Sequence, residues 1–485
     1  MQRSWLTNLL VTGLWLLTAV AGASEADRPN ILFVFADDMC FQTVAAFGHE
    51  DIETPHLDRL AQRGATFTHA YNMGGWHGAI CIASRTMLNT GRTLWRAEAI
   101  DKTCEAERQA GRFWSEHLKR AGYRTYFTGK WHIQAKVQAA FDVVQDVRPG
   151  MPATVEASYN RPLEGMPDLW DSADPALGGY WVNGKHLSEI TADVAISFLR
   201  EAQSQPDPFF MYVAFNAPHD PRQAPQEFLD RYPVDSQSVP LNFIPEYPEK
   251  HGIGCDPKLR DEKLLPFPRT PSAVQVHRRE YFAMITHLDE QIGRIMAALE
   301  ASGKARNTWV VFTADHGLAV GQHGLVGKQN MYDHSVRVPF IVVGPEVQSG
   351  QRISTPIYLQ SVLPTTLELA GCEVPEHVEY PSLLPWLRGT APPADQPICG
   401  AYMNLQRMVT VGEYKLILYP ELKVWKLFHV AEDPLERHNL AGETAALGRA
   451  RQLFAQLQDL QTRYADPLDL TIRFPELVSS ASVRP

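Results

Sequence analysis

The stretch Asn30-Ile-Leu-Phe-Val-Phe-Ala36-Asp37-Asp38 sets the reading of this chain. An apolar run without alternation describes a parallel strand buried on both faces, and here it halts on two adjacent carboxylates. Moving outward, Thr54-Pro55 opens a helix that Gly64 closes, with Leu57, Leu60 and Ala61 on one face. Further buried strands are expected at 123–128, 208–215, 308–313 and 338–343. Amphipathic helices are expected around 113–122 and at 190–202, 274–301 and 359–370. Strands alternating with helices imply an α/β fold whose large, mostly parallel sheet is sandwiched by helices. Residues 218–271 are rich in proline, show little periodicity and are expected to wrap the surface near a site. Past residue 392 the pattern becomes short alternating strands (407–410, 414–419, 424–429) and a closing helix at 444–464, a small C-terminal antiparallel-sheet subdomain. The expected division is therefore 1–23, 24–391 and 392–485.

Residues 1–23 have the form of a signal peptide: a positive start at Arg3, an uncharged run over 5–20, and Ala21-Gly22-Ala23 as a cleavage site. The expectation is export to the periplasm or secretion, with no membrane association after cleavage, and no cysteine follows closely enough to suggest a lipid anchor. The 485 residues are 45% hydrophobic and 21% charged, as in folded proteins, which excludes a disordered or collagen-like chain. A net charge of −10 argues against a nucleic-acid partner and requires any anion to be held by a few focused cations. The six cysteines, Cys40, Cys81, Cys104, Cys255, Cys372 and Cys399, show no CxxC or CxxH spacing, so a structural zinc site is not expected.

In parallel sheets, sites gather beyond the carboxyl ends of strands. Asp37 and Asp38, Lys130 and His132, His219, and Asp315 and His316 all fall there. Three carboxylates at contact distance require a cation, because like charges raise one another's pKa. Oxygen donors favour calcium or magnesium, while an imidazole from His316 would also admit manganese, zinc or iron.

The segment Cys81-Ile82-Ala83-Ser84-Arg85, followed by Thr90-Gly91-Arg92, carries a more specific message. It resembles the type I sulfatase family of the alkaline phosphatase superfamily, in which a C-x-P/A-x-R motif is oxidised at the cysteine to formylglycine (3-oxoalanine). Gly122 to His132, with Gly129-Lys130-Trp131-His132 at its end, is similar to the family's second signature. Asp315-His316-Gly317, Gly327-Lys328 and the stretch from Asp433-Pro434-Leu435-Glu436 to Asn439-Leu440-Ala441 also fit.

The resemblance implies a sulfatase with an alkaline-phosphatase-like fold, matured by a formylglycine-generating or anaerobic sulfatase-maturing enzyme. It implies a divalent metal, calcium or else manganese or magnesium, held by Asp37, Asp38, Asp315, His316 and the modified Cys81. A hydrated formylglycine would attack sulfur, His219 would protonate the departing alcohol, and His132 would take a proton as sulfate is expelled. Lys130 and Lys328 would hold sulfate oxygens, and Arg85 would orient the nucleophile. A sulfated carbohydrate is the expected substrate, with Trp76-His77, Trp95-Arg96, His323, Asn330 and Arg337 as candidate sugar contacts. Two other readings remain open: a phosphonate or phosphate mono- or diester hydrolase on the same scaffold, and a non-catalytic glycan-binding protein.

Overall fold

The Asn30–Ala36 strand lies inside an eight-stranded sheet, flanked by Thr308–Ala314 and Phe209–Ala214. The computed structural model describes residues 28–478 apart from 49, 50 and 393, so residues 1–23, where a signal peptide is expected, lie outside the described residues. In spatial order the strands are Gln351–Ile353, Ala65–Phe67, Phe340–Val343, Thr308–Ala314, Asn30–Ala36, Phe209–Ala214, Arg124–Lys130 and Val143–Arg148. The last five run parallel to one another. Register brings their ends level: Ala36 pairs with Ala314, and Phe35 pairs with Ala214. Asp37 and Asp315 therefore leave neighbouring strands at the same height.

Two details depart from the expected pattern. The 338–343 run is divided. Phe340–Val343 joins the large sheet antiparallel to Thr308–Ala314, whereas Arg337–Val338 pairs with Ala70–Tyr71 in a separate small sheet. The strand expected at 123–128 continues to Lys130, across a register shift between Thr128 and Gly129. Gly129 is needed there, since its φ is +96° and a Cβ would lie 1.8 Å from the Ala214 carbonyl oxygen.

Helices cover the sheet in two groups. Leu187–Gln203 and Pro55–Arg63 pack against the long Pro271–Ala301 helix. Ile80–Thr90 and Val362–Leu369 pack with Trp114–Arg120. Trp114 anchors the second group. Its ring sits 5.0 Å from Phe33 and 4.7 Å from Phe210, and its indole N–H donates to Thr366 at 2.8 Å. Burial of such large rings supplies most of the favourable packing energy of the layer.

The smaller sheet contains Ile398–Tyr402, Gln406–Val411, Tyr414–Tyr419 and Val424–His429, all antiparallel, with Ala446–Tyr464 packed on it. Its fifth strand comes from far away in sequence. Gly74–Gly75 lies parallel to Ile398–Tyr402 and leads into the Ile80–Thr90 helix. The smaller sheet is thus tied in sequence to the helix that carries Cys81. Among the described residues no helix is long and apolar enough to cross a membrane.

Candidate active site

Asp37, Asp38, Asp315 and His316 converge where the strands end, and all four side chains are buried. The Asp38 amide donates to Asp315 Oδ1 at 3.2 Å, and the His316 amide donates to the same oxygen at 3.0 Å. Asp38 takes a left-handed φ of 64°, which turns its side chain back into the site, and its carbonyl accepts from the Tyr281 hydroxyl at 2.7 Å. The Asp315 carbonyl is held by Asn72 at 2.9 Å and by Ser84 at 2.8 Å. His316 Nε2 lies 3.1 Å from Asp38 Oδ1, while its Nδ1 bonds the Gly317 carbonyl at 2.9 Å.

Cys81 stands in the first turn of the Ile80–Thr90 helix, where unpaired backbone N–H groups favour negative charge. Burial opposes its ionisation. Lys130 and Lys328, with the neighbouring imidazoles of His132 and His316, outweigh that and hold the thiol well below its ordinary value. One helical turn on, Arg85 is wholly buried over the Phe35 ring, with its Nε 3.1 Å from Asp315 Oδ2 and Nη1 donating to the Lys130 carbonyl at 2.8 Å. Its remaining Nη2 is 3.7 Å from Asp37 Oδ1. Arg85 ties three strand ends to the helix that carries Cys81.

Lys130 donates to Asp37, and Lys328 to both oxygens of Asp38 at 2.9 Å. Burial and the negative neighbour Asp315 raise Asp37, and burial raises Asp38 against the pull of Lys328 and His316. Asp315 is driven the other way: burial opposes its charge, but His316 and Arg85 hold it well below the usual range. His219 Nε2 lies 3.8 Å from Asp38, and its Nδ1 is 2.7 Å from the Asp220 carbonyl. Burial, with Lys328, Lys130 and Arg260, keeps the His219 ring well below its ordinary pKa. His132 adopts a φ of 55°, and Gly150 lies against its ring so closely that a Cβ would come within 2.3 Å of Nε2.

Cys81, His132, His219 and Lys328 open onto one cleft of about 510 Å³, completed by Met151, Leu259, Arg260 and Gln329 among others. The latter three come from the proline-rich stretch and the loop after Lys328. None carried a motif, and Arg260 became legible only once its guanidinium was seen bonded to Asp220, beside His219, and to Asp261. A second supporting residue, Glu262, is buried and accepts from the amides of Val326 at 3.2 Å and Gly327 at 2.9 Å, shaping the turn into Lys328.

Several expected sugar contacts lie elsewhere. Arg337 does not line this cleft: its guanidinium stacks over Phe41, bonds the Thr68 carbonyl and pairs with Asp333. His323 stacks on Tyr332 at 3.8 Å, and Asn330 bonds the Gly327 carbonyl and the Tyr332 amide. His77 accepts from the Ala79 amide at 3.1 Å, and Trp76 and Trp95 line a separate cavity, while Arg96 pairs with Glu379. These residue types suited a sugar, but Arg337 and Arg96 are taken up by long-range pairs, and His77, His323 and Asn330 by neighbours close in sequence.

The donor set suits a metal ion. One ligand atom each from Asp37, Cys81, Asp315 and His316 lies within 4.8 Å of all the others, and Asp37, Asp38 and His219 form an overlapping group. Asp37 Oδ1 and His316 Nε2 are buried without a hydrogen-bond partner, which leaves both able to coordinate.

Acidic strand ends, a cysteine at a helix start and buried lysines around one cleft, on this sheet, define a hydrolase of alkaline-phosphatase-like fold. A phosphonate monoester hydrolase of Agrobacterium radiobacter shares that fold, with a TM-score of 0.70 at 20% identity over 92% of this chain and 97% of that one. A solved structure in complex with its substrate D-glucosamine-2-N,6-O-disulfate superposes with a TM-score of 0.72 at 24% identity, covering 91% of this chain and 99% of the other. The chain belongs to the sulfatase family: the family model Sulfatase matches residues 29–372. A model for the N-sulphoglucosamine sulphohydrolase C-terminal region matches 321–463. An N-acetylglucosamine-6-O-sulfatase of Bacteroides thetaiotaomicron is 26% identical over 517 aligned residues, covering 91% of this chain and 88% of that protein. Sulfatases are sulfuric ester hydrolases, and the family generally uses a metal ion and formylglycine.

Proposed function

We propose that this protein hydrolyses sulfate esters of a sulfated carbohydrate, with Cys81 converted to formylglycine and a divalent cation held by Asp37, Asp38, Asp315 and His316. The observation that carries this reading is the shared cleft, where Cys81 in its CIASR context meets His132, His219 and Lys328. The sulfated glucosamine bound by one structural neighbour and the N-acetylglucosamine sulfatase relative support the substrate class. When bound, the cation would supply Lewis-acid polarisation, and formylglycine would supply a hydroxyl nucleophile.

The chain's own residues do the rest. Lys130 and Lys328 offer ammonium groups to the sulfate oxygens as well as to Asp37 and Asp38, offsetting charge that builds on oxygen as the ester bond breaks. His219 gives a proton from Nε2 to the departing sugar oxygen, while Nδ1 stays bonded to the Asp220 carbonyl. His132, whose Nδ1 is buried without a partner, accepts the proton released at position 81. Arg85 acts by positioning, through Asp315 and the Lys130 carbonyl.

Three carboxylate donors favour calcium or magnesium, and the His316 nitrogen also admits manganese. Export through residues 1–23 and maturation by a formylglycine-forming enzyme complete the reading. Mass spectrometry of the Cys81 peptide, from protein made in its native host, tests it. The aldehyde form is expected; cysteine alone would reject the proposed chemistry. Rates on sulfate, phosphate and phosphonate esters then separate the two hydrolase readings, with sulfate expected to dominate. Metal analysis of the same sample and N-terminal sequencing of the mature chain test the cation and the export.

A further inference from the structure

We infer that a second pocket, beside the Cys81 cleft, binds an uncharged sugar ring belonging to the same glycan as the sulfated residue; this rests on the sulfatase reading above. The pocket has a volume of about 340 Å³, and Trp76, Trp95, Glu98, Met403, Asn404 and Pro467 are among its walls. Both indoles are only partly buried, although each belongs to the edge of the C-terminal core. Flat aromatic faces with a carboxylate and an amide at the rim suit the apolar face and the hydroxyls of a pyranose.

Charge selects among sugars. Glu98 is the pocket's charged lining group, and no lining residue is a lysine, arginine or histidine. The neighbouring basic groups are already engaged, His77 beside Glu98 accepting from the Ala79 amide through Nδ1. Arg407 lies 5.4 Å from the Trp95 ring but pairs with Asp466 at 2.7 Å, and Arg96 pairs with Glu379. A sulfate or uronate placed here would meet Glu98 and no lysine, arginine or histidine in the pocket wall. The Cys81 cleft has the opposite character, with Lys328 and Arg260 in its wall.

The two cavities are neighbours. Gly78 and Ala79 line the Cys81 cleft, and Trp76 lines the second pocket. Two residues of chain span at most about 7 Å, which bounds the separation of Trp76 and Gly78. From the other side, the Tyr402 hydroxyl lies 3.8 Å from the Cβ position of Gly78, and Met403, the next residue, is in the pocket wall. Met403 takes a left-handed φ of 47° in the tight connection between Ile398–Tyr402 and Gln406–Val411, which presents Asn404 to the rim. A ring in this pocket therefore sits within reach of a glycan whose sulfated unit occupies the cleft, and the preferred substrate is an oligosaccharide rather than a single sulfated sugar.

The test uses the full chain and three neutral probes: chitotriose, N-acetyllactosamine and cellotriose. Binding is followed by titration calorimetry and indole fluorescence, alongside turnover of 4-nitrophenyl sulfate. At least one probe is expected to bind, with affinity falling about tenfold in Trp95→Ala or Trp76→Ala and recovering in Trp95→Phe. Glu98→Ala, an exposed position that leaves folding intact, is expected to weaken the same binding. Absence of binding by all three probes, or binding indifferent to all these variants, overturns the pocket. Loss of sulfate-ester turnover by matured wild-type protein would instead overturn the sulfatase reading, so the two failures are distinguishable.

Discussion

His219 can act as an acid from Nε2 only when both its nitrogens carry protons, because the Asp220 carbonyl at 2.7 Å claims the proton on Nδ1. The free site resists that state through burial and through Lys328, Lys130 and Arg260. A bound sulfate adds negative charge beside the ring and restores it. Replacing His219 with Ala is expected to lower kcat/KM by about 10²–10⁴ on alkyl sulfates, with a much smaller loss on 4-nitrophenyl sulfate, whose leaving group needs little protonation. Equal losses on both substrates would remove the acid role. Arg85 answers to geometry rather than charge. Arg85→Lys keeps the cation but cannot reach Asp315 and the Lys130 carbonyl together, so it should cost about 3–5 kcal/mol of stability in urea melts as well as activity.

Strands, helices and the turns between them decide which residues meet, and much of that was legible. The apolar runs ending at Asp37 and Asp315 show their burial and their parallel pairing, because strands covered on both faces must be apolar throughout. Arg260 and Glu262 were not legible, since residues 218–271 have no period and distant partners give them a place, Asp220 for Arg260 and the Val326 and Gly327 amides for Glu262. Gly74–Gly75 could not be read as a strand either, being two residues long and paired to a partner more than 300 positions away. One such long-range device ties the smaller sheet to the Asp333–Val336 helix. Lys415, buried on its strand, bonds Asp333 at 2.8 Å and Glu436 at 2.7 Å. Lys415→Met leaves two buried carboxylates without that ammonium and should cost about 3–5 kcal/mol, measured by chemical denaturation.

A pH signature belongs to the same scale. Glu107, in the Cys104–Gln109 helix, bonds Arg112 at 2.6 and 2.7 Å and Arg92 at 2.9 Å, joining the chain on either side of that helix. The Arg112 hydrogen bonds, then Arg92, hold its carboxyl down to about 2 against burial. A carboxyl depressed from 4.5 stabilises the fold above that value and loses its contribution as pH falls toward about 2. The partly exposed arginines reduce the benefit through solvent screening. Glu107→Gln should therefore cost about 1–2 kcal/mol at neutral pH, with wild type and variant converging across that acid window. Parallel stability curves would contradict the linkage.

Across the whole molecule the net charge is −10, yet the cleft is built to receive an anion. The resolution is burial: Lys130, Lys328 and Arg85 sit at the strand ends among Asp37, Asp38 and Asp315, so the local balance is independent of the surface. Three carboxylates against three cations leave an anionic ester without net attraction until a divalent ion joins them, which makes the ion a condition of binding as well as of chemistry. Dialysis against a chelator should therefore weaken binding of inorganic sulfate and lower Tm, with both restored by added calcium. Ligand linkage sets the size of the shift, about 2.7 kcal/mol when calcium stands at a hundred times its Kd. Asp37 and Asp38, raised by burial, would hold the ion as carboxylates, so protons compete with calcium and restoration should demand more calcium as pH falls. Thermal melts across a calcium series at two pH values decide the matter; a Tm unmoved by chelation and by calcium would show that the strand-end acids hold no exchangeable ion.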